Sequence, residues 1–264
     1  MQQTSNRLLI SIGIVVIWAM ITIGVGNIQT SGNVTLSEMV TSQILWATPA
    51  AAAFLLIIVW FTGWRDLGFK APKTAGMLKV IWLPLLYIIG FVFYGFSKDS
   101  EGLTASVITI VFINTMIVGF SEELAFRGIL WGGARKAMSF WPAAILVSVL
   151  FGSVHIANTF LTGEFNEAIT QAMIATMSGL TFLAIRIRTA SLWVAMVLHG
   201  LWDFGVFLIG FGAVKDPSAH TSLLSAVLGG IGFIGPIFLF GLWLLRNEQV
   251  RSGWRDDSDA QHAV

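Results

Sequence analysis

The chain has 264 residues, of which 56% are hydrophobic and only 11% are charged, whereas about a quarter of the residues of a typical soluble domain are charged. Its net charge of +1 gives no reason to expect a nucleic-acid partner, and the absence of cysteine excludes disulfides and thiolate metal sites. Because the apolar residues are concentrated in long runs, we expect the chain to lie in a lipid bilayer.

Eight of these runs approach the roughly 20 apolar residues that a helix needs to cross a bilayer. In chain order they cover residues 8–26, 44–62, 80–96, 105–133, 141–157, 168–185, 192–212 and 223–245. The first run is too long for a signal peptide and has no A-x-A cleavage site after it, so we expect it to remain a span. The predicted fold class is therefore all-α. Residues 1–264 should form a single polytopic membrane helix bundle, with a polar cytoplasmic tail at 247–264.

The basic residues predict the orientation, because the loops on the cytoplasmic side carry an excess of lysine and arginine. With eight spans, only Lys98 and Lys215 fall on one side, and Arg127 falls within a span. Twelve bases fall on the other side: Arg7, Arg65, Lys70, Lys73, Lys79, Arg135, Lys136, Arg186, Arg188, Arg246, Arg251 and Arg255. We therefore expect both termini in the cytoplasm.

A few ionisable residues lie inside the predicted spans, where a charge costs at least about 2.5–3.5 kcal/mol and usually serves a function. Counted along their helices, they lie within one or two turns of a common plane. Any one of them alone would more often be a structural residue, but a shared depth favours a site. They are Glu122, Glu123, Arg127, His155, His199 and Asp203.

The spacing of these residues indicates which of them can pair with each other and which can face a substrate. Glu123 and Arg127 are four residues apart and can pair on one helix face, whereas Glu122 is rotated by about 100° from Glu123 and is free to face another target. His199 and Asp203 also project together. Two imidazoles and a carboxylate beside a free glutamate suit metal-assisted or carboxylate-assisted activation of water, with Glu122 as the general base.

Three short motifs resemble those of one family. Residues 122–128 (EELAFRG) resemble its EExxxR motif, residues 151–155 (FGSVH) its FxxxH motif, and residues 199–203 (HGLWD) its HxxxN or HxxxD motif. This is the CPBP (Abi) family of intramembrane proteases, which includes type II CAAX prenyl endopeptidases and bacteriocin-processing or immunity proteins. The motifs occur in the family's order within a catalytic region at about 105–212.

The resemblance implies a role for each of these residues. Glu122 would activate water, His155 and His199 would position that water or a metal, and Asp203 would assist His199 from a position that is often asparagine. Glu123 and Arg127 would hold the first motif in shape. The implied metal ligands are His155, His199 and Asp203, with zinc the best suited ion and a metal-independent reaction left open.

The resemblance also implies a setting and partners. The protein would lie in a bacterial cell membrane, among lipids, and would cleave a peptide or a lipidated protein. Two other classes of function stay open, since buried acids and histidines also serve proton-coupled transport, and an immunity or binding protein can keep the fold without catalysis. No inverted repeat supports transport, and the intact motif set favours hydrolysis.

Overall fold

The computed structural model describes residues 2–30, 34–98, 102–211 and 222–252, with the backbone alone for residues 2–5. Within these ranges every regular element is a helix. The α-helices are α1 (Gln2–Gln29), α2 (Leu36–Ser42), α3 (Ala47–Thr62), α4 (Met77–Ser97), α5 (Ala105–Glu123), α6 (Trp131–Ala137), α7 (Phe140–Val154), α8 (Thr159–Thr162), α9 (Phe165–Thr189), α10 (Leu192–Gly210), α11 (Leu223–Leu244) and α12 (Glu248–Ser252). Lys215, Arg255 and the predicted tail beyond Ser252 lie outside the described residues.

The predicted all-α membrane bundle is confirmed. In the described part of the chain, seven helical segments are long and apolar enough to cross a bilayer, and α2 and α3, bent by 83° at the break between them, make an eighth if the pair is counted as one span. Seven of the eight predicted spans therefore match one continuous helical segment each. The second one differs, because its first residues leave the helix at the break between α2 and α3.

Two side-chain amides, of which Asn114 is buried, form hydrogen bonds with the backbone at that break. In a bilayer, backbone groups that leave a helix need partners from the protein. Asn114 on α5 is fully buried, accepts a hydrogen bond from Leu45 N at 3.0 Å, and donates to the carbonyls of Val40 and Gln43 at 2.8 Å each. Gln29 at the end of α1 bonds the backbone on either side of Leu45. The side chains thus replace helical hydrogen bonds that the bend removes.

A crossing of two glycines brings α5 and α10 unusually close. A Cβ atom added to Gly119 would lie 2.6 Å from both Gly200 N and Met196 O, which is nearer than real contacts allow. Small residues permit such close approach between membrane helices. Gly119 lies one turn before Glu122, and Gly200 follows His199 directly. The crossing therefore sets how near the first and third motifs come to each other.

One end of the bundle gathers basic residues around a single acid, Asp66, in the connection between α3 and α4. Its carboxylate lies 2.6 Å from Arg7 on α1, 2.9 Å from Arg135 and 3.2 Å from Lys136, both on α6. Burial disfavours the ionised carboxylate, but the hydrogen bonds and charges of Arg7 and Arg135 outweigh burial and hold the pKa of Asp66 well below its usual range. The turn between α9 and α10 joins the same end, because Ser191 Oγ donates to Lys70 O.

This cluster predicts a pH-dependent contribution to stability. Because the folded-state pKa of Asp66 is depressed, its contribution is fully present above an unfolded pKa of about 3.9 and is lost as the pH falls toward the folded value. We expect Asp66→Asn to lower the melting temperature in detergent by an amount that is constant between about pH 5 and pH 8 and shrinks below about pH 4. Glu248→Gln, a change of the same kind at an exposed acid, should have little effect. A difference that grew on acidification would contradict the role of Asp66.

Candidate active site

The first motif lies where the α-helix α5 passes into a π-helical segment. Glu122 and Glu123 end α5, and the chain continues without a break into a π-helical segment, Leu124–Leu130, and then α6. Such segments are rare and frequently occur at functional sites. The predicted ion pair forms, with Glu123 Oε1 2.9 Å from Arg127 Nη1 and neither side chain exposed. Glu122 faces elsewhere, as its rotation predicts, and 16% of its side chain is exposed.

Arg127 is fixed by three helices at once. Its Nη2 donates to the carbonyl of Gly179 on α9 at 3.1 Å, and its guanidinium lies 4.0 Å from the ring centre of Phe151 on α7. A Cβ on Gly179 would meet Arg127 Nη2 at 3.2 Å, so glycine leaves room for the guanidinium. The contacts agree with a bracing role for Arg127, because a buried guanidinium needs both a counter-charge and hydrogen-bond acceptors.

His199 lies among three carboxylates. Its Nδ1 is 2.9 Å from Glu123 Oε1, and since a carboxylate only accepts, Nδ1 carries a hydrogen and donates. On the other side of the ring, Nε2 lies 3.7 Å from Glu122 Oε2 and 3.6 Å from Asp203 Oδ2. Phe182 stacks on the ring with a centroid distance of 5.0 Å. These contacts fix both the orientation and the protonated nitrogen of His199.

The structure gives Glu123 a contact that the resemblance does not assign to it. The resemblance assigns Asp203 to assist His199 and Glu123 to hold the first motif together with Arg127. One oxygen of Glu123 contacts both Arg127 and His199, and Asp203 also contacts His199, at Nε2. Glu123 therefore links the first motif to the third, a contact between residues 76 positions apart that helical spacing does not predict.

His155 begins a 3₁₀ turn, His155–Asn158, at the end of α7. Its Nδ1 lies 2.8 Å from the carbonyl oxygen of Phe151, which can only accept, so Nδ1 carries the hydrogen. In the neutral imidazole Nε2 is then a hydrogen-bond acceptor. His155 and Glu122 both line a small cavity of about 40 Å³, which is large enough for a few water molecules.

Several residues that line this cavity carry no motif and were not predicted. The full lining consists of Trp18, Ala19, Thr22, Ile23, Glu122, Val154, His155 and Asn158. Asn158 lies one residue beyond the predicted fifth span, at 141–157, yet follows His155 by three residues and so shares its helix face. That spacing is the signal that could have identified it. Trp18 and Thr22 come from α1, whose sequence contains no ionisable residue at that depth.

An apolar groove adjoins the cavity on the membrane side. It has a volume of about 510 Å³ and runs between one face of α1 and the segment from α7 to α8. Ala19, Ile23 and Val154 line both the groove and the cavity. Along the groove, Val16, Met20 and Phe160 are exposed. The groove and the cavity that Glu122 lines are therefore neighbours, separated by the three residues that they share.

The predicted metal ligands do not converge as a metal site requires. Among the residues with described placement, no three His, Asp or Glu side chains are arranged so that they could hold a metal ion. The Nδ1 atoms of His155 and His199 both bond to the protein, which leaves the two Nε2 atoms as the nitrogens that a metal could take. Because no third ligand joins them among the described residues, the metal stays a prediction from the sequence.

Comparison with known proteins identifies the motif-bearing region. Residues 104–205 match the family described as "Type II CAAX prenyl endopeptidase Rce1-like", and all three motifs fall within the match. Residues 104–205 thus form an Rce1-like segment. The Rce1-like segment covers less than half of the chain, but a weaker likeness extends further. The chain is 22% identical over 220 residues to the "Putative membrane peptidase YdiL" of Bacillus subtilis (strain 168), covering 76% of this chain and 86% of that protein. The family inferred from the motifs is confirmed.

Proposed function

We propose that the protein is an intramembrane endopeptidase that hydrolyses a peptide bond of a membrane-associated peptide or protein, with water activated by Glu122. The observation that carries this proposal is the cavity, of the size of a few waters, that Glu122 and His155 both line. The Rce1-like segment supports peptide hydrolysis as the chemistry.

The reaction needs one water and returns every proton it takes. Glu122 accepts a proton while the water oxygen bonds to the carbonyl carbon, and the π electrons move to the carbonyl oxygen. His155 Nε2 accepts the other hydrogen of the same water and so orients it. The tetrahedral intermediate then expels the amine, and the proton held by Glu122 passes to the leaving nitrogen. The products are one carboxyl and one amino terminus.

The surrounding residues serve as positioning groups. His199, held by Glu123, lies 3.7 Å from the Glu122 carboxylate and limits the orientations of that side chain. The buried ion pair of Glu123 with Arg127 ties this arrangement to α7 and α9. Rigid support of this kind matters because small displacements of reacting groups cost large factors in rate.

The apolar groove supports a membrane-associated substrate. Its wall is almost wholly hydrophobic, it lies between α1 and α7, and it shares Ala19, Ile23 and Val154 with the cavity. An apolar segment lying there would exchange lipid contacts for protein contacts at little cost, because lipid tails are as apolar as the side chains. Such a segment would bring an adjacent peptide bond to Glu122.

The proposal is tested by incubating the purified protein in detergent with synthetic peptides that carry an apolar segment, with and without a prenylated cysteine. Mass spectrometry should find a product pair with a new carboxyl and a new amino terminus. Because the reaction above routes no step through a metal, we expect the same products in the presence of a metal chelator. Peptides that bind but stay intact would favour the non-catalytic binding protein. Loss of cleavage on chelation, restored by zinc, would favour the metal site that the sequence predicts.

We also propose that the base-rich end around Asp66 faces the cytoplasm. The support is that Arg7 of α1 and Arg135 and Lys136 of α6 meet at Asp66 at this end, as the positive-inside rule favours. A reporter fused to the C-terminus should be active when it needs the cytoplasm and silent when it needs the opposite side. The reverse pattern would overturn this orientation.

A further inference from the structure

Among the polar side chains that line the cavity and have no role in the reaction above is the amide of Asn158. Asn158 ends the 3₁₀ turn that begins at His155, and it lines the cavity together with Glu122 and His155. Its Nδ2 donates a hydrogen bond of 2.8 Å to Oε1 of Gln171 on α9. An amide nitrogen has two hydrogens, so this bond leaves one of them for another partner.

Peptide hydrolysis requires a hydrogen-bond donor of this kind near the reacting carbonyl oxygen. When water adds to the peptide carbonyl, its oxygen becomes negatively charged, and in a site of low dielectric that charge must meet a donor already in place. Donors of this kind are backbone N–H groups or side chains such as asparagine, and they act best when fixed before the reaction.

The other polar side chains that line the cavity have no donor to spare. The indole N–H of Trp18 donates to Ser121 Oγ, and the hydroxyl of Thr22 donates to the carbonyl of Trp18. His155 uses its N–H on Phe151 O, and Glu122 must accept. Among the described residues of this lining, Asn158 alone keeps an unassigned neutral N–H.

We propose that the second Nδ2 hydrogen of Asn158 stabilises the oxyanion of the tetrahedral intermediate, and that Gln171 positions the amide for this task. The inference rests on the proposed hydrolysis and names one further catalytic residue for it. A neutral amide suits this place, because a cationic donor beside Glu122 would pair with the carboxylate and hold it away from water. Gln171, on a different helix, limits rotation of the Asn158 side chain.

Substitution of Asn158 tests the proposal. Asn158→Ala and Asn158→Leu both remove the donor, and the second approximately keeps the shape. We expect either change to lower kcat by about 100- to 1,000-fold, the usual effect of losing one oxyanion donor, with KM changed by no more than about threefold. Gln171→Leu should give a smaller decrease of about tenfold, because it frees the amide without removing it. Asn166→Ala, at an exposed asparagine on α9, should match the wild type.

A second readout separates oxyanion binding from a structural role. A substrate with a thioamide at the cleaved bond carries sulfur, which accepts hydrogen bonds weakly, in place of the reacting oxygen. The ratio of amide to thioamide cleavage rates should fall by about tenfold or more from the wild type to Asn158→Ala or Asn158→Leu. If Asn158→Ala does not accumulate, Asn158→Leu and Gln171→Leu allow the same comparison.

The possible outcomes distinguish failure of the role of Asn158 from failure of the proposed peptide hydrolysis. An unchanged rate ratio, or a loss of activity that follows only from a lowered melting temperature, would overturn the role of Asn158 and leave the hydrolysis intact. Failure of the wild-type protein to cleave any peptide would overturn both, and this is seen before Asn158 is altered.

Discussion

Glu122→Gln should lower the rate of peptide cleavage by about 100-fold or more, the scale of a lost general base, while the protein still folds. Glutamine keeps the shape of the side chain and can still form hydrogen bonds, but it cannot take a proton from water. Glu122 contacts His199 at 3.7 Å and is not paired with Arg127 as Glu123 is, so its replacement leaves no buried arginine unpaired. Thermal melting in detergent and a cleavage assay on the same preparation measure both effects.

The control for this variant is Glu248→Gln, which makes the same chemical change at an exposed acid and should alter neither stability nor rate. No change at a neighbouring position should restore cleavage to Glu122→Gln, because no other described side chain in the cavity lining is a carboxylate. A Glu122→Gln protein that cleaves within about threefold of the wild-type rate would remove Glu122 from the chemistry.

Glu123→Gln should fail in a different way, by destabilising the protein. Its carboxylate has two partners on one oxygen, Arg127 and His199, and Arg127 is completely buried. Leaving a buried charge without its partner costs about 3–5 kcal/mol in soluble cores, and membrane surroundings soften that cost because unfolded helices also find partners. We expect a melting temperature lower by on the order of 10 °C, with poor accumulation and little activity.

A double replacement of Glu123 and Arg127 by apolar residues separates the two tasks of Glu123. Removing both charges should restore part of the stability, because no buried charge is left unpaired. Cleavage should stay low, because His199 still lacks the acceptor for Nδ1. If Glu123→Gln proves stable and inactive while Glu122→Gln unfolds, the roles of base and brace are the reverse of those given above.

The features that could be predicted from the sequence are those that a single helix determines. Long apolar runs predict the spans, because lipid tolerates little else, and the cost of burying charge singles out Glu122, His155 and Asp203. The pairing of Glu123 with Arg127 follows from their separation of four residues. In each case the evidence lies within one stretch of chain and needs no knowledge of the neighbouring helices.

The features that could not be predicted depend on contacts between helices. The bend between α2 and α3 is held by Asn114, which lies about 70 residues away in sequence. The bond from His199 to Glu123 and the place of Asn158 beside Glu122 depend on how α5, α7 and α10 pack. The π-helical segment after Glu123 also could not be predicted, because the apolar pattern of residues 124–130 suits an α-helix equally well.

The residues between the groove and the cavity are distinct from the residues that the proposed reaction uses. Three residues, Ala19, Ile23 and Val154, line both spaces, and none of them carries a proton, a charge or a motif position. In the proposed reaction, larger or smaller side chains at these three positions would change which peptides reach Glu122 and would leave the catalytic groups unchanged. Substrate preference can therefore differ between relatives whose catalytic groups are identical. The three motifs do not include these positions, so the motifs alone do not predict the substrate.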